Sequence, residues 1–338
     1  MTATLRGATM VIFFMLLLVV AGASPLAASG NPTDLERARA FLEEGQLEQA
    51  ARLLSTAVRQ PASRGESLVL LCRLASARGE HEQAVEYGKQ AVEALPTSAE
   101  AHYRYAVALR NLMTRVGKLK AMGMLGSYKT ALVRAIELDP QHLDARAEEI
   151  GFLISAPGIA GGSKEKGKAR IEELLRLDPR RGTTMKAMLL RSEGESESAI
   201  TLLRDHLGRY PDDHDNRLLL AMSLQDAKKF READAELEPL LAVEGGTTAL
   251  SAAYQLARSR VLGSYDQQRA VALLTDYLRR RPETSRGLPS RAAAYWRLGQ
   301  AHQQLGEIAR AREAFQLALA LEPDNEEIKK ALKALPKS

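Results

Sequence analysis

One distance recurs along this chain and limits what it can become. Gly45 and Gly79 stand 34 residues apart, as do Ala50 and Ala84, Ala57 and Ala91, and Ala199 and Ala233. A period of that length is one supersecondary unit repeated, and such units must stack, because none can bury its apolar face alone. Small residues keep the register. Ala38, Cys72, Ala106, Ala187, Ala221 and Gly299 hold one slot, and Ala50, Ala84, Ala199, Ala233 and Ala311 a second. Where two helices cross, a larger side chain would hold them apart. Gly45, Gly79, Gly194 and Gly306 fall where the first helix of a unit must end, a place that suits positive φ. Pro61, Pro96, Pro140, Pro179, Pro211, Pro282 and Pro323 close the units, since proline cannot continue a helix interior. Thr97 and Asp324, directly after two of these prolines, are expected to cap the helices that follow. Aromatic residues make up only 5% of the chain, against 45% hydrophobic residues in all, which favours helices over strands.

Between the prolines fit eight helix pairs, at about 34–61, 64–96, 99–140, 143–179, 180–211, 214–245, 247–282 and 290–323. A last helix over 324–334, polar on one face, serves as the cap that a stack of repeats needs. In terms of domains, pairs 1–3 occupy 32–140, an irregular fourth pair with a Gly-rich turn 141–179, pairs 5–8 180–323, and the cap with its tail 324–338. Three pairs are oversize: the third and fourth, with Pro96 and Pro140 44 residues apart and Pro140 and Pro179 39 apart, and the seventh, stretched with Gly263-Ser264 near its turn. The final copy is the most regular: Tyr295-x-x-Leu298-Gly299-x-x-His302, then Gly306, Ala311, Phe315, Ala318 and Pro323. This spacing resembles the tetratricopeptide repeat family, with His302 standing where that family usually has tyrosine. The resemblance implies an all-α, right-handed solenoid of antiparallel helix pairs whose concave groove, lined by the first helices, binds a protein or peptide. Projected on the family pattern, the groove carries Arg39, Arg73, Tyr103, Arg110, Met188, Arg191, Met222, Gln225, Trp296 and Gln300. Aromatic, arginine and methionine side chains are the types enriched at protein interfaces. The subtype that clamps acidic chaperone tails needs a leading lysine, and Leu35 and Val69 hold that slot in the first two units.

The N-terminus differs in kind. Arg6 precedes an uncharged run from Met10 to Ala23, and small residues follow at once. That run is short for the ~20 residues of a bilayer span but fits a secretory signal peptide over 1–28, cleaved between Ala23 and Ser29. The expected location is therefore the periplasm or the exterior, with membrane contact only through this segment if it stays uncleaved. Cys72 is the sole cysteine, so no internal disulfide can form. A net charge of +5 is mild, and nucleic-acid binders carry a denser basic stripe, so no nucleic-acid partner is expected.

Signatures of catalysis are missing. The loop Ala156–Lys164 is glycine-rich, but Ser163 precedes Lys164 and no strand leads in, so it fails as a phosphate loop and reads as a turn with Ser163 capping a helix. A small-ligand binder or degenerate-repeat enzyme using Gly158–Ser163 is the alternative reading. His81, His102, His142, His206, His214 and His302 form no close-spaced ligand pair, so neither metal nor cofactor is expected. Glu148-Glu149 and Glu172-Glu173 are neighbours along a helix and diverge. The insertion Val116–Leu125, rich in lysine and methionine, lengthens a helix pair or offers an adaptable contact surface. Taken together, the residues predict a non-enzymatic adaptor of the cell envelope.

Overall fold

The structure, a computed structural model, describes residues 33–244, 247–282 and 287–336. The expected signal segment lies outside them. Among the described residues there is no strand, only helices. They run in sequence as pairs: α1 (Asp34–Glu43) with α2 (Leu47–Ala57), α3 (Arg64–Arg78) with α4 (His81–Ala94), α5 (Ala99–Met113) with α6 (Lys118–Leu138), and α7 (Leu143–Ser155) with α8 (Lys164–Leu177). Then follow α9 (Pro179–Ser192) with α10 (Ser196–Arg209), α11 (His214–Asp226) with α12 (Phe230–Leu237), α13 (Thr248–Gly263) with α14 (Gln267–Arg280), and α15 (Arg291–Gln304) with α16 (Ile308–Leu321). The last helix, α17 (Glu326–Ala334), packs on α16 and lays Ile328 over the apolar edge formed by Ala311, Phe315 and Ala318. None of these helices is long and apolar enough to cross a membrane.

First helices also touch first helices, in α1–α3, α3–α5, α9–α11, α11–α13 and α13–α15, while second helices make no comparable approach to one another. The stack therefore curves around its first helices, which form the inner wall. What permits the approach is the absence of side-chain bulk. Ala38, Cys72, Ala106, Ala187 and Ala221 on the inner helices, and Ala50, Ala84, Ala199, Ala233 and Ala311 on the outer ones, are all fully buried. At Gly299 even a methyl group would be too large, since a Cβ would lie 2.4 Å from the Phe315 ring. Close packing of this kind yields dispersion contacts along the whole solenoid.

Two helix starts differ from the sequence expectation. Ser98 caps α5, accepting from the Ala101 N–H at 3.3 Å, and Asn325 caps α17, accepting from the Glu327 and Ile328 N–H groups at 3.2 and 3.3 Å. Thr97 and Asp324 stand one residue too early. The reason is a closed turn after the second helix, in which the Ser98 and Asn325 amides bond back to the Leu95 and Glu322 carbonyls and use up one more residue.

The first helices end as the period requires, with φ between 74° and 81° at Gly45, Gly79, Gly194 and Gly306. In pair six the same place falls to Lys228, at φ 60° and 34 residues beyond Gly194. A side chain with a Cβ is disfavoured there. Lys228→Gly should therefore stabilise the protein by roughly 0.5–1 kcal/mol, whereas Gly79→Ala should destabilise it by about 1 kcal/mol. Ala233→Leu should overpack its crossing and cost ~1–3 kcal/mol, and Glu327→Gln on the exposed cap should shift stability by less than about 0.5 kcal/mol. Chemical denaturation of the four variants checks the set.

Candidate interaction groove

The inner wall is not uniform. Between α5 and α7, and again between α7 and α9, the first helices lack the close approach seen elsewhere. Aromatic and charged side chains stand in the gap between α5 and α7. Tyr103 on α5 meets His142, the cap of α7, with tilted rings 4.9 Å apart, and Tyr128 on α6 meets Phe152 on α7 with ring centres 5.4 Å apart. Arg110 forms an ion pair with Glu148 at 2.7 Å, and the same carboxylate accepts from the Tyr128 hydroxyl at 3.0 Å. Spread by these groups, the helices leave a cleft of about 580 Å³ lined by Tyr103, Arg110, Met113, Tyr128, Glu148 and Phe152 among others.

His142 organises one side of the cleft. Its Nδ1 accepts from the Ala145 N–H at 3.2 Å, which leaves Nε2–H to donate to Glu100 at 3.0 Å, a tautomer assigned from the hydrogen-bond network. Arg104 holds the same carboxylate at 2.6 Å. Burial works against the charge on Glu100, but the bonds from His142 and Arg104 outweigh it and hold the carboxyl at about 2. Burial pushes the Tyr103 hydroxyl up to about 12, so at neutral pH it is a neutral donor and stacking surface and no general base.

Of the projected groove residues, Tyr103 and Arg110 share this cleft. Arg39 and Arg73 share a second hollow of about 690 Å³ with Val69, Leu70 and Leu95. Met188 is half exposed, and Arg191 is held by Asp226 at 2.7 Å. Met222 is half-buried, and Gln300 accepts from Arg297 at 2.7 Å. Two residues sit deeper than the projection has them. Gln225 is 3% exposed, donates to the Gln255 carbonyl and Ser259 hydroxyl at 2.8 Å, and accepts from Arg258, so it ties α11 to α13. Trp296 is half-buried and packs at 5.2 Å on Phe315, against the core of the last repeat.

Sequence reasoning did not single out His142, Phe152 or Arg258 for the groove. For His142 a signal existed, since a polar residue just after Pro140-Gln141 stands where helix caps stand. Glu148 and Glu149 do diverge, toward Arg110 and toward Arg170 at 3.3 Å.

Other reactive groups are enclosed. His206 bonds Asp213 at 2.8 Å and Thr183 at 3.1 Å, a relay-like order, yet all three are buried and latch pair five to pair six. The Cys72 thiol is pushed up to about 12 by burial, which keeps it protonated and unreactive. No cluster of His, Cys, Asp or Glu among the described residues could hold a metal ion. In the Gly-rich loop Ser163 caps α8 through the Lys166 N–H at 3.3 Å, and a Cβ on Gly162 would fall 1.8 Å from the Ala156 carbonyl oxygen. That loop lines neither of the hollows described above.

Models of the tetratricopeptide repeat match residues 35–99 and 292–325. The chain thus carries tetratricopeptide repeats in its first two helix pairs and in its last. It is 27% identical over 333 residues to Cellulose synthase 2 operon protein C of Komagataeibacter xylinus, a match that covers 86% of this chain. The chain spans only 25% of that relative's length. Among solved structures, the human IFIT1 dimer with PPP-AAAA aligns at TM-score 0.56 and 15% identity, covering 88% of this chain and 72% of that one. The same protein with m7Gppp-AAAA aligns at 0.54 and 15% identity, covering 85% and 68%. These two likenesses concern the fold alone; the tetratricopeptide repeats themselves support a protein-interaction scaffold in general.

Because the Glu100 carboxyl lies below its usual value of 4.5, its stabilisation is fully present above that pH and is lost as pH falls toward 2. Glu100→Gln should thus lower the melting temperature at pH 7. The gap to the wild type should close between pH 4.5 and about 2, as thermal scans across that range can read.

Proposed function

We propose that this protein is an exported adaptor that holds an extended peptide or helix of another envelope protein against its first helices, with the cleft between pairs three and four as the main anchor point. The cleft carries the proposal. It offers two tyrosines, a phenylalanine, a methionine and an Arg–Glu pair in one concave place, the composition of an interface hot spot. Elsewhere on the inner wall, Arg39, Arg73 and Met188 offer secondary contacts along the same direction. Location in the periplasm is supported by the run from Met10 to Ala23. Non-enzymatic binding is the reading we favour, since His206, Thr183 and the Cys72 thiol are buried in the packing between helices. For a small ligand at Gly158–Ser163 there is no supporting hollow among those described above.

A photo-crosslinking residue at Ala147, on the cleft wall, should trap a protein of defined mass in living cells, and the same residue at Lys89, on the outer helix α4, should not. Tyr103→Ala should weaken that capture by ~1–2 kcal/mol while leaving the helical circular dichroism intact. Adducts formed equally at both positions, or none at Ala147, would refute groove binding.

A further inference from the structure

The two irregular pairs place an unusual surface on one edge of the solenoid. The turn before α6 and the loop 156–163 before α8 both join a first helix to a second helix, so they emerge at the same end of neighbouring pairs. Contact confirms the neighbourhood, because Gly161 lies so near Lys129 of α6 that a Cβ there would stand 2.9 Å from its Nζ. On this edge are the three most exposed large apolar side chains of the described residues: Ile159 at 98%, Leu119 at 86% and Met122 at 69%. Leu119 and Met122 are three residues apart and share one face of α6, Leu119 standing about 8 Å ahead of Met124 and Leu125, where the helix begins to pack on the core.

Around these tips stand Arg115, Lys118, Lys120, Lys129, Lys164 and Lys166, none with a carboxylate within ion-pair distance among the described residues. Glu165 is the sole acidic residue in the stretches 114–129 and 156–168. We propose that this edge docks on an anionic lipid surface, with Leu119, Met122 and Ile159 entering the interface and the surrounding lysines meeting lipid phosphates. The residue types favour a bilayer over a protein. Protein interfaces are depleted of lysine and rich in aromatic residues, and this edge has five lysines named above and no aromatic tip. Lysine stems instead lie along apolar chains while the ammonium reaches the headgroups. The docking would add a membrane contact independent of the N-terminal segment and of the groove, which opens on the inner wall.

The test is co-flotation of the full-length exported protein with vesicles of phosphatidylglycerol and phosphatidylethanolamine, against pure phosphatidylcholine. Binding to the anionic vesicles should be at least ~10-fold stronger and should fall steeply with salt. The triple variant Leu119→Ser, Met122→Ser, Ile159→Ser, and separately Lys118→Glu with Lys120→Glu, should each lose at least ~10-fold. Since every variant keeps the same N-terminus and alters only exposed side chains, flotation equal to the wild type would overturn the proposal. So would a wild type that ignores the anionic vesicles but binds polyglutamate.

Discussion

Two helix backbones can pack closely only where the side chains between them are small, and nearly everything in this solenoid follows from that constraint. Ala38, Cys72 and Ala106 carry it through the first three pairs, and Ala187, Ala221 and Gly299 carry it through the later ones. With first helices meeting first helices along the stack, curvature about the inner wall is unavoidable. The groove is thus a by-product of packing, and its lining is set by the residues that flank each small crossing.

Between pairs three and five the constraint is relaxed, and the protein uses different forces. Arg110, Glu148 and Tyr128 on three separate helices share one carboxylate, and His142 joins the cap of α7 to Glu100 on α5. Charge-assisted bonds of this sort hold position without demanding close backbones. They leave room for a cleft that alanine crossings would have closed. The irregular turns sit on these same pairs, so the loosened joint coincides with the protruding α6 and the Gly-rich loop. An interaction surface placed there gains exposed groups at no cost to the regular repeats.

Most of the fold was legible because periodic small residues and unit-ending prolines have few physical uses, although Pro179, expected to close pair four, instead opens α9, where proline suits the first helical position. Gly45, Gly79 and the buried alanines stand where the spacing puts them. Lys228 was not legible as a positive-φ position, since its side chain disguises a turn that the backbone of the repeat imposes regardless. Within the groove, Tyr103 and Arg110 could be read from register, but Glu148 and Phe152 could not. Their role depends on the separation of α5 from α7, and one helix pattern carries no information about the distance to another. Trp296 shows the converse. Its register points to the groove, while the space left by Gly299 draws Phe315 inward and gives the indole a packing partner.

Site-resolved hydrogen exchange measures the loosened joint directly. The amides of α7 are capped and hydrogen-bonded like those of its neighbours, but α7 lacks a tightly packed first helix on either side. It should therefore open at lower free energy than α9, α11 or α13 and exchange at least ~10-fold faster under native conditions. Protection in α7 equal to that in α11 would contradict the account, for it would mean that the charged and aromatic contacts bind the joint as firmly as the alanine crossings bind the rest.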